Sequence, residues 1–298
     1  MKLRIGTRRS RLALAQAGEV EKLLSAERID AEIVTITTSG DRGMPARPGG
    51  AGVKGLFVAE IVAALQAGEI DVAVHSAKDL PAGDPEGVVV GAVPERLDPR
   101  DVLIHREEHW AGGVVGTSSI RRRAQFARRH PEVKVVDLRG NVDTRLSKLD
   151  AGEVQGLVLA AAGLLRLDVH PPHSTALSTA EMLPAPGQGA LALQVLAESE
   201  ALDLVGALDH APSRVAFEAE RALMSLIGGG CALPLGALAQ PQEGEVHLRA
   251  VVVSPDGGEL VLGEATDPSP ARTAELVAEQ LLSGGAGAIL AAVRASAP

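Results

Sequence analysis

Two stretches of this chain look alike, and their likeness limits what it can fold into. AGEIDVAVHSAKDL, from Ala67, and AGEVQGLVLAAAGL, from Ala151, match at six of fourteen positions. In each, a short apolar run follows Ala-Gly-Glu, which reads as a buried strand of a parallel sheet. A strand-loop unit used twice predicts two related α/β lobes. In open α/β sheets ligands sit beyond the carboxyl ends of the strands. There the first copy carries Ser76, Lys78 and Asp79, and the second carries Ala160, Ala162 and Gly163. The backbone unit therefore does not need the polar groups, which marks them as candidates for chemistry.

The rest of the chain fits this plan. Lys2–Ile5 reads as a strand, Gly6-Thr7-Arg8 as a turn, and a helix begins near Ser10 with Leu12, Ala13, Gln16, Val20, Leu23 and Leu24 at helical spacing. Val114–Ser119 repeats that pattern, a strand running into the helix IRRRAQFARRH. Each unit offers a helix amino terminus to an anion, so carboxylates bound across a cleft are expected. Residues 40–55 are rich in Gly and Pro, and predict disorder or a mobile lid that ends at Lys54, just before a helix. PERLDPRD reads as a crossing between lobes, and LPAPGQGALALQV as a hinge and a strand returning to the first lobe. A third unit from about residue 210 holds a helix, the loop Gly228-Gly229-Gly230-Cys231, three strands and a closing helix. The expected domains are 1–94 with 190–206, 100–183, and 210–298.

Composition narrows the function. With three Phe, one Trp and no Tyr, the chain lacks stacking platforms for nucleic acid, and a formal charge of −9 argues against nonspecific binding to DNA or RNA. Yet residues 121–148 hold nine Lys or Arg against three acids. That suits a small acidic ligand in a cleft. Arg123, Arg128 and Arg129 read as a solvated helix face, whereas Arg121, Arg122 and Arg139 fall near strand-to-helix junctions. The amino terminus lacks the apolar core of a signal peptide, and no apolar run approaches the roughly 20 residues of a membrane span, so a cytoplasmic protein without a membrane partner is expected. One cysteine permits neither an internal disulfide nor a cysteine zinc cluster, and no metal is expected.

Eight motifs, in order, carry a resemblance through nearly the whole chain: GTRRSRLALAQ, VKGLFVAE, DVAVHSAKDLP, VGTSSIRRRAQ, LRGNVDTRLSKLD, LAAAGLLRL, PAPGQGA and GGGCALP. Together they resemble the porphobilinogen deaminase family, also called hydroxymethylbilane synthases. The resemblance implies two lobes like a periplasmic binding protein plus a small α+β domain. It implies a cytoplasmic, monomeric transferase of tetrapyrrole and haem biosynthesis. Such an enzyme joins four porphobilinogen units head to tail with loss of ammonia, then releases the linear tetrapyrrole by hydrolysis. It also implies a dipyrromethane primer held by a thioether to Cys231, with Asp79 as the catalytic carboxylate. By the same resemblance Arg8, Arg121, Arg122, Arg139, Arg145 and Arg166 bind substrate and cofactor carboxylates. Ser76, Lys78, Thr117 and Ser119 make further contacts, Gln16 and Lys54 lie at the cleft mouth, and Phe57 stacks near a pyrrole ring. Four positions depart from the family pattern: Val53, Asp143, Leu165 and Ala232. A non-catalytic anion-binding protein of the same fold leaves Cys231 without a role. A cysteine hydrolase needs a base near the thiol, and nothing in the sequence aims the nearest histidine, His210, at it.

Overall fold

The computed structural model describes residues 2–37, 53–228 and 233–296, except for the side chains of 53–57. Most of the glycine-rich stretch, and Cys231 and Ala232, lie outside the described residues, as do the side chains of Val53, Lys54 and Phe57.

The first lobe opens with β1 (Leu3–Arg8), α1 (Arg11–Ala26), β2 (Ala31–Ile36), α2 (Val53–Gln66), β3 (Val72–Ser76), a 3-10 turn (Ala77–Asp79) and β4 (Val88–Ala92). Ser10 caps α1, its side chain accepting from the amide of Ala13, and Gln16, Ala17, Val20 and Leu24 form its buried stripe. Helix α2 takes in Lys54, which the sequence reading had placed just before it. Arg4 grips Asp71 through Nε at 2.9 Å and Nη2 at 2.7 Å, pinning β1 to the residue ahead of β3.

The second lobe contains β5 (Asp101–His105), β6 (Val114–Gly116), α3 (Ile120–Arg129), β7 (Lys134–Val136), α4 (Val142–Asp150), β8 (Gly156–Ala160), α5 (Ala161–Arg166) and β9 (Ser174–Ala176). The chain then returns as β10 (Leu191–Leu196) and α6 (Glu200–Gly206). The third unit is α7 (Ala211–Leu226), β11 (Leu235–Gln242), β12 (Glu245–Val253), β13 (Leu260–Asp267), α8 (Pro270–Ser283) and α9 (Ala286–Ala295).

The two large sheets share one plan. Their orders are β2-β1-β3-β10-β4 and β7-β6-β8-β5-β9. In each, three strands run parallel and a fourth, β10 or β5, inserts antiparallel beside the third. Each crossing between lobes thus delivers one antiparallel strand. Both faces of each sheet are covered. In the first lobe Val58, Ile61 and Leu65 pack on one side, and Val20, Leu24 and Val205 on the other. In the second, Leu149 and Leu164 face Phe126 and Val133 across the sheet. The third sheet, β11-β12-β13, is antiparallel and buries one face against α7, α8 and α9.

Three elements were missed: β5, β9 and α9. Arg128 and Arg129 also differ from the expected solvated face. Arg128 donates to the carbonyls of Gly257 at 3.1 Å and Gly258 at 3.2 Å, and Arg129 to that of Ala180 at 2.7 Å. The end of α3 is therefore tied to the hairpin turn of the third unit.

Candidate functional site

A cavity of about 560 Å³ lies between the lobes. From the first lobe it takes the end of β1, the first turns of α1, and the end of β3 with its 3-10 turn. Thr7 donates through Oγ1 to the carbonyl of Ala13 at 3.0 Å, and the Ser10 cap opens α1 toward the cavity. Beyond β3, Ser76 accepts a hydrogen bond from the Gln16 amide at 2.7 Å, and Lys78 donates to Gln188 Oε1 at 3.3 Å. Asp79 completes this wall.

The return crossing passes close beneath that turn. Gly187, at φ +72°, lies so near that a Cβ would meet the carbonyl carbon of Ala77 and the amide of Lys78 at 2.9 Å. Gly189, at φ +92°, is pressed against the Leu97 carbonyl of the other crossing. A side chain at either position would push the crossing away from Lys78 and Asp79.

The second lobe faces this wall with its own copy of the unit. Ala160, Ala162 and Gly163, at the junction of β8 and α5, line the cavity opposite the polar copy and leave it room. Its cations come from elsewhere: Arg122 on α3, Arg145 on α4 and Arg166 at the end of α5. With Arg8, Arg11 and Lys78, six cationic side chains among the described residues line the cavity, against the two carboxylates Asp79 and Asp143. Arg145 donates to Ser118 Oγ at 3.1 Å, while its Nε is buried without a hydrogen-bond partner among the described residues. Burial and then the nearby charge of Arg122 push the Arg145 guanidinium below its usual range. A cation so held favours an incoming anion.

Behind the wall stands Asp101, which the sequence reading missed. It is wholly buried at the start of β5 and accepts from Arg121 Nη1 at 2.7 Å, Arg122 Nη2 at 2.8 Å and Gln188 Nε2 at 2.8 Å. Burial alone would raise its carboxyl, but the charges of Arg121 and Arg122, with the hydrogen bonds, outweigh it and hold the group well below the carboxylate range.

Of the residues named from sequence, Arg8, Gln16, Ser76, Lys78, Asp79, Arg122, Arg145 and Arg166 share the cavity. Four do not line it. Arg121 turns into the protein, its Nη1 shared between Asp101 and the Leu183 carbonyl. Thr117 and Ser119 shape the start of α3: the Thr117 hydroxyl accepts from the Ser119 amide at 3.2 Å, and Ser119 caps the amide of Arg122. Arg139 is 83% exposed and pairs with its neighbour Asp137 at 2.9 Å. The helix amino terminus that the second lobe presents is accordingly that of α4, where Asn141 caps Thr144, and not that of α3.

His75 backs the Asp79 wall. Burial pushes its imidazole down to about 4, opposed in part by the negative charges of Asp79 and Asp84. Its pKa lies lower in the folded protein than in the unfolded chain, so the stability it contributes is full above about 6.5 and lost as pH falls through 4. The loss amounts to about 3 kcal/mol. A His75→Asn protein is expected to show a shallower fall in unfolding free energy between those values, measured by urea titration at successive pH. Parallel profiles in parent and variant would mean that His75 titrates normally.

A two-lobed α/β fold with a cation-lined cleft and one carboxylate-bearing turn defines a class of proteins that enclose small acidic molecules. Two family models match the chain: "Porphobilinogen deaminase, dipyromethane cofactor binding domain" over residues 3–203, and "Porphobilinogen deaminase, C-terminal domain" over residues 215–283. The chain belongs to the porphobilinogen deaminase family. It is 47% identical to the porphobilinogen deaminase of Desulforudis audaxviator, covering 98% of each chain. It is 45% identical to that of Thermus thermophilus, covering 97% of this chain and 98% of the other. Among solved structures, the periplasmic VFT2 domain of Bordetella pertussis BvgS is similar at 14% identity and a TM-score of 0.40, over 70% of this chain and 86% of that one.

Proposed function

We propose that this protein is a porphobilinogen deaminase that condenses four porphobilinogen molecules in the cleft between its first two lobes. The observation that carries the reading is the set of six cationic side chains around one turn bearing Asp79, in a chain whose formal charge is −9. Porphobilinogen carries two carboxylates and an aminomethyl group, and each added ring brings two more carboxylates. Arg8, Arg122, Arg145 and Arg166 bind and orient these groups. Guanidinium forks suit carboxylates because two N–H groups meet two oxygens.

The buried, unsatisfied Arg145 Nε and the excess of cations fit an acidic dipyrromethane. Such a group, when bound, supplies the free pyrrole position to which the first unit is joined. Cys231, which follows α7 and precedes β11 in the sequence, is its attachment point. Asp79 acts on the incoming unit: loss of ammonia leaves a cation, and a fixed carboxylate offsets that charge where it develops. Lys78, held by Gln188, and Ser76, held by Gln16, keep the turn in place. The family resemblance assigns Lys54 to the mouth of the cleft and Phe57 to a pyrrole ring; the side chains of both lie outside the described residues. The domains are those set out from the sequence, and the protein works as a cytoplasmic monomer without nucleic-acid or membrane partners.

Intact-mass measurement tests the attachment. The purified protein is expected to carry the mass of two linked pyrrole units and to colour with Ehrlich's aldehyde. Cys231→Ser is expected to lose both the adduct and the colour. An adduct retained in Cys231→Ser would move the attachment to another residue, and an unmodified, fully active parent would overturn the primer itself.

A further inference from the structure

Arg166 already has a carboxylate. Its Nε donates to Glu19 Oε2 at 2.7 Å and its Nη2 faces Glu19 Oε1 at 3.4 Å, so the fork is gripped as a ligand carboxylate would grip it. Glu19 comes from α1 of the first lobe, three residues beyond Gln16 and so on the same helix face, whereas Arg166 ends α5 of the second lobe. The pair joins the two lobes at the edge of the cavity, which Arg166 lines.

We propose that Glu19 is a resident counter-carboxylate that holds Arg166 until a ligand carboxylate displaces it, and so sets the affinity of the cleft for acidic ligands. The inference rests on the reading that Arg166 binds substrate carboxylates. The asymmetry of the pair decides which partner moves. The Arg166 side chain is 4% exposed and cannot turn to solvent, while Glu19 is 27% exposed and reaches water by a change of rotamer. Exchange of one carboxylate for another also spares the protein a buried guanidinium without a counter-charge, the costly state for such a group. Release of Glu19 does not free the lobes. Close by, Arg11 bridges them separately, donating to Asp143 Oδ1 at 2.7 Å and to the Leu167 carbonyl at 3.2 Å. Asp143, one of the departures from the family pattern, thereby has a structural partner. Glu19 acts through Arg166 and is a positioning residue.

The test compares parent, Glu19→Gln and Glu19→Ala, each as full-length, cofactor-loaded protein, with succinate as the probe in isothermal titration. A partly exposed ion pair that must be broken for binding weakens it by about fivefold. Both variants are therefore expected to bind succinate about fivefold tighter. KM for porphobilinogen is expected to fall by a similar factor, with kcat changed less than about twofold. In an Arg166→Met background the Glu19 substitutions are expected to change succinate binding no further. If neither Glu19 variant binds succinate more tightly than the parent, or if the gain persists in Arg166→Met, the proposal is overturned. Tighter succinate binding in proteins that never consume porphobilinogen would instead support Glu19 and overturn the proposed reaction. Normal turnover without any gain in succinate binding would do the reverse.

Discussion

Asp101→Asn is expected to lose about 3–5 kcal/mol of stability. The substitution keeps the size of the side chain and removes its charge. Asp101 is wholly buried, and Arg121 and Arg122 are 3% and 6% exposed, so neither guanidinium can turn to water for compensation. Two cations would then share a buried space with neutral oxygens, and their mutual repulsion would no longer be offset. A loss of that size is a large part of the stability of an ordinary domain. It would also release Gln188, which donates to Asp101 and accepts from Lys78. Urea unfolding measures it directly. An unfolding free energy within about 1 kcal/mol of the parent would show that solvent or a neighbouring group neutralises the arginines without Asp101.

Asp79→Asn is expected to spare the fold and to slow turnover by a hundredfold or more. The second lobe supplies the structural half of this expectation: its copy of the unit ends in Gly163 at the corresponding place and still builds the cavity wall. If Asp79 served only as an ion-pair partner near the surface, losing it would cost no more than about 1 kcal/mol and leave the rate alone. A preorganised charge lost from a developing cation costs about 3 kcal/mol in the barrier, which is the hundredfold. Melting temperature and kcat, measured on the same cofactor-loaded variant, separate the two. Near-parental turnover in a stable Asp79→Asn protein would remove Asp79 from the chemistry.

Much of this arrangement is legible in the residues. The apolar runs ending at Ser76 and Ala160 announce their strands because side chains buried on both faces leave no polar alternation to confuse the reading. The strand β5 escaped because its first residue, Asp101, looks like the end of the polar crossing PERLDPRD. Only the placement of β5 beside β8, and the two arginines above it, makes a carboxylate tolerable there. The edge strand β9 is three residues long and wholly exposed, so it carries no apolar signal. Arg121 and Arg122 illustrate a different limit. They are neighbours on one helix, pointing about 100° apart, and no local pattern says which of them faces the cleft. Glu19 was within reach only as a neighbour of Gln16 on α1, one turn further along the helix.

The two crossings between the lobes are bonded to each other as well as to the lobes. Leu97 donates its amide to the Gly189 carbonyl at 3.3 Å, Arg96 Nε reaches the Gln188 carbonyl at 2.8 Å, and Gln188 Nε2 reaches that of Pro99 at 2.7 Å. A single connecting strand would let one lobe twist, slide or bend against the other. A cross-tied ribbon resists torsion and shear and yields to flexure alone. Bending about such a ribbon would move the far rim of the cleft most and the Lys78–Asp79 turn beside Gly187 least.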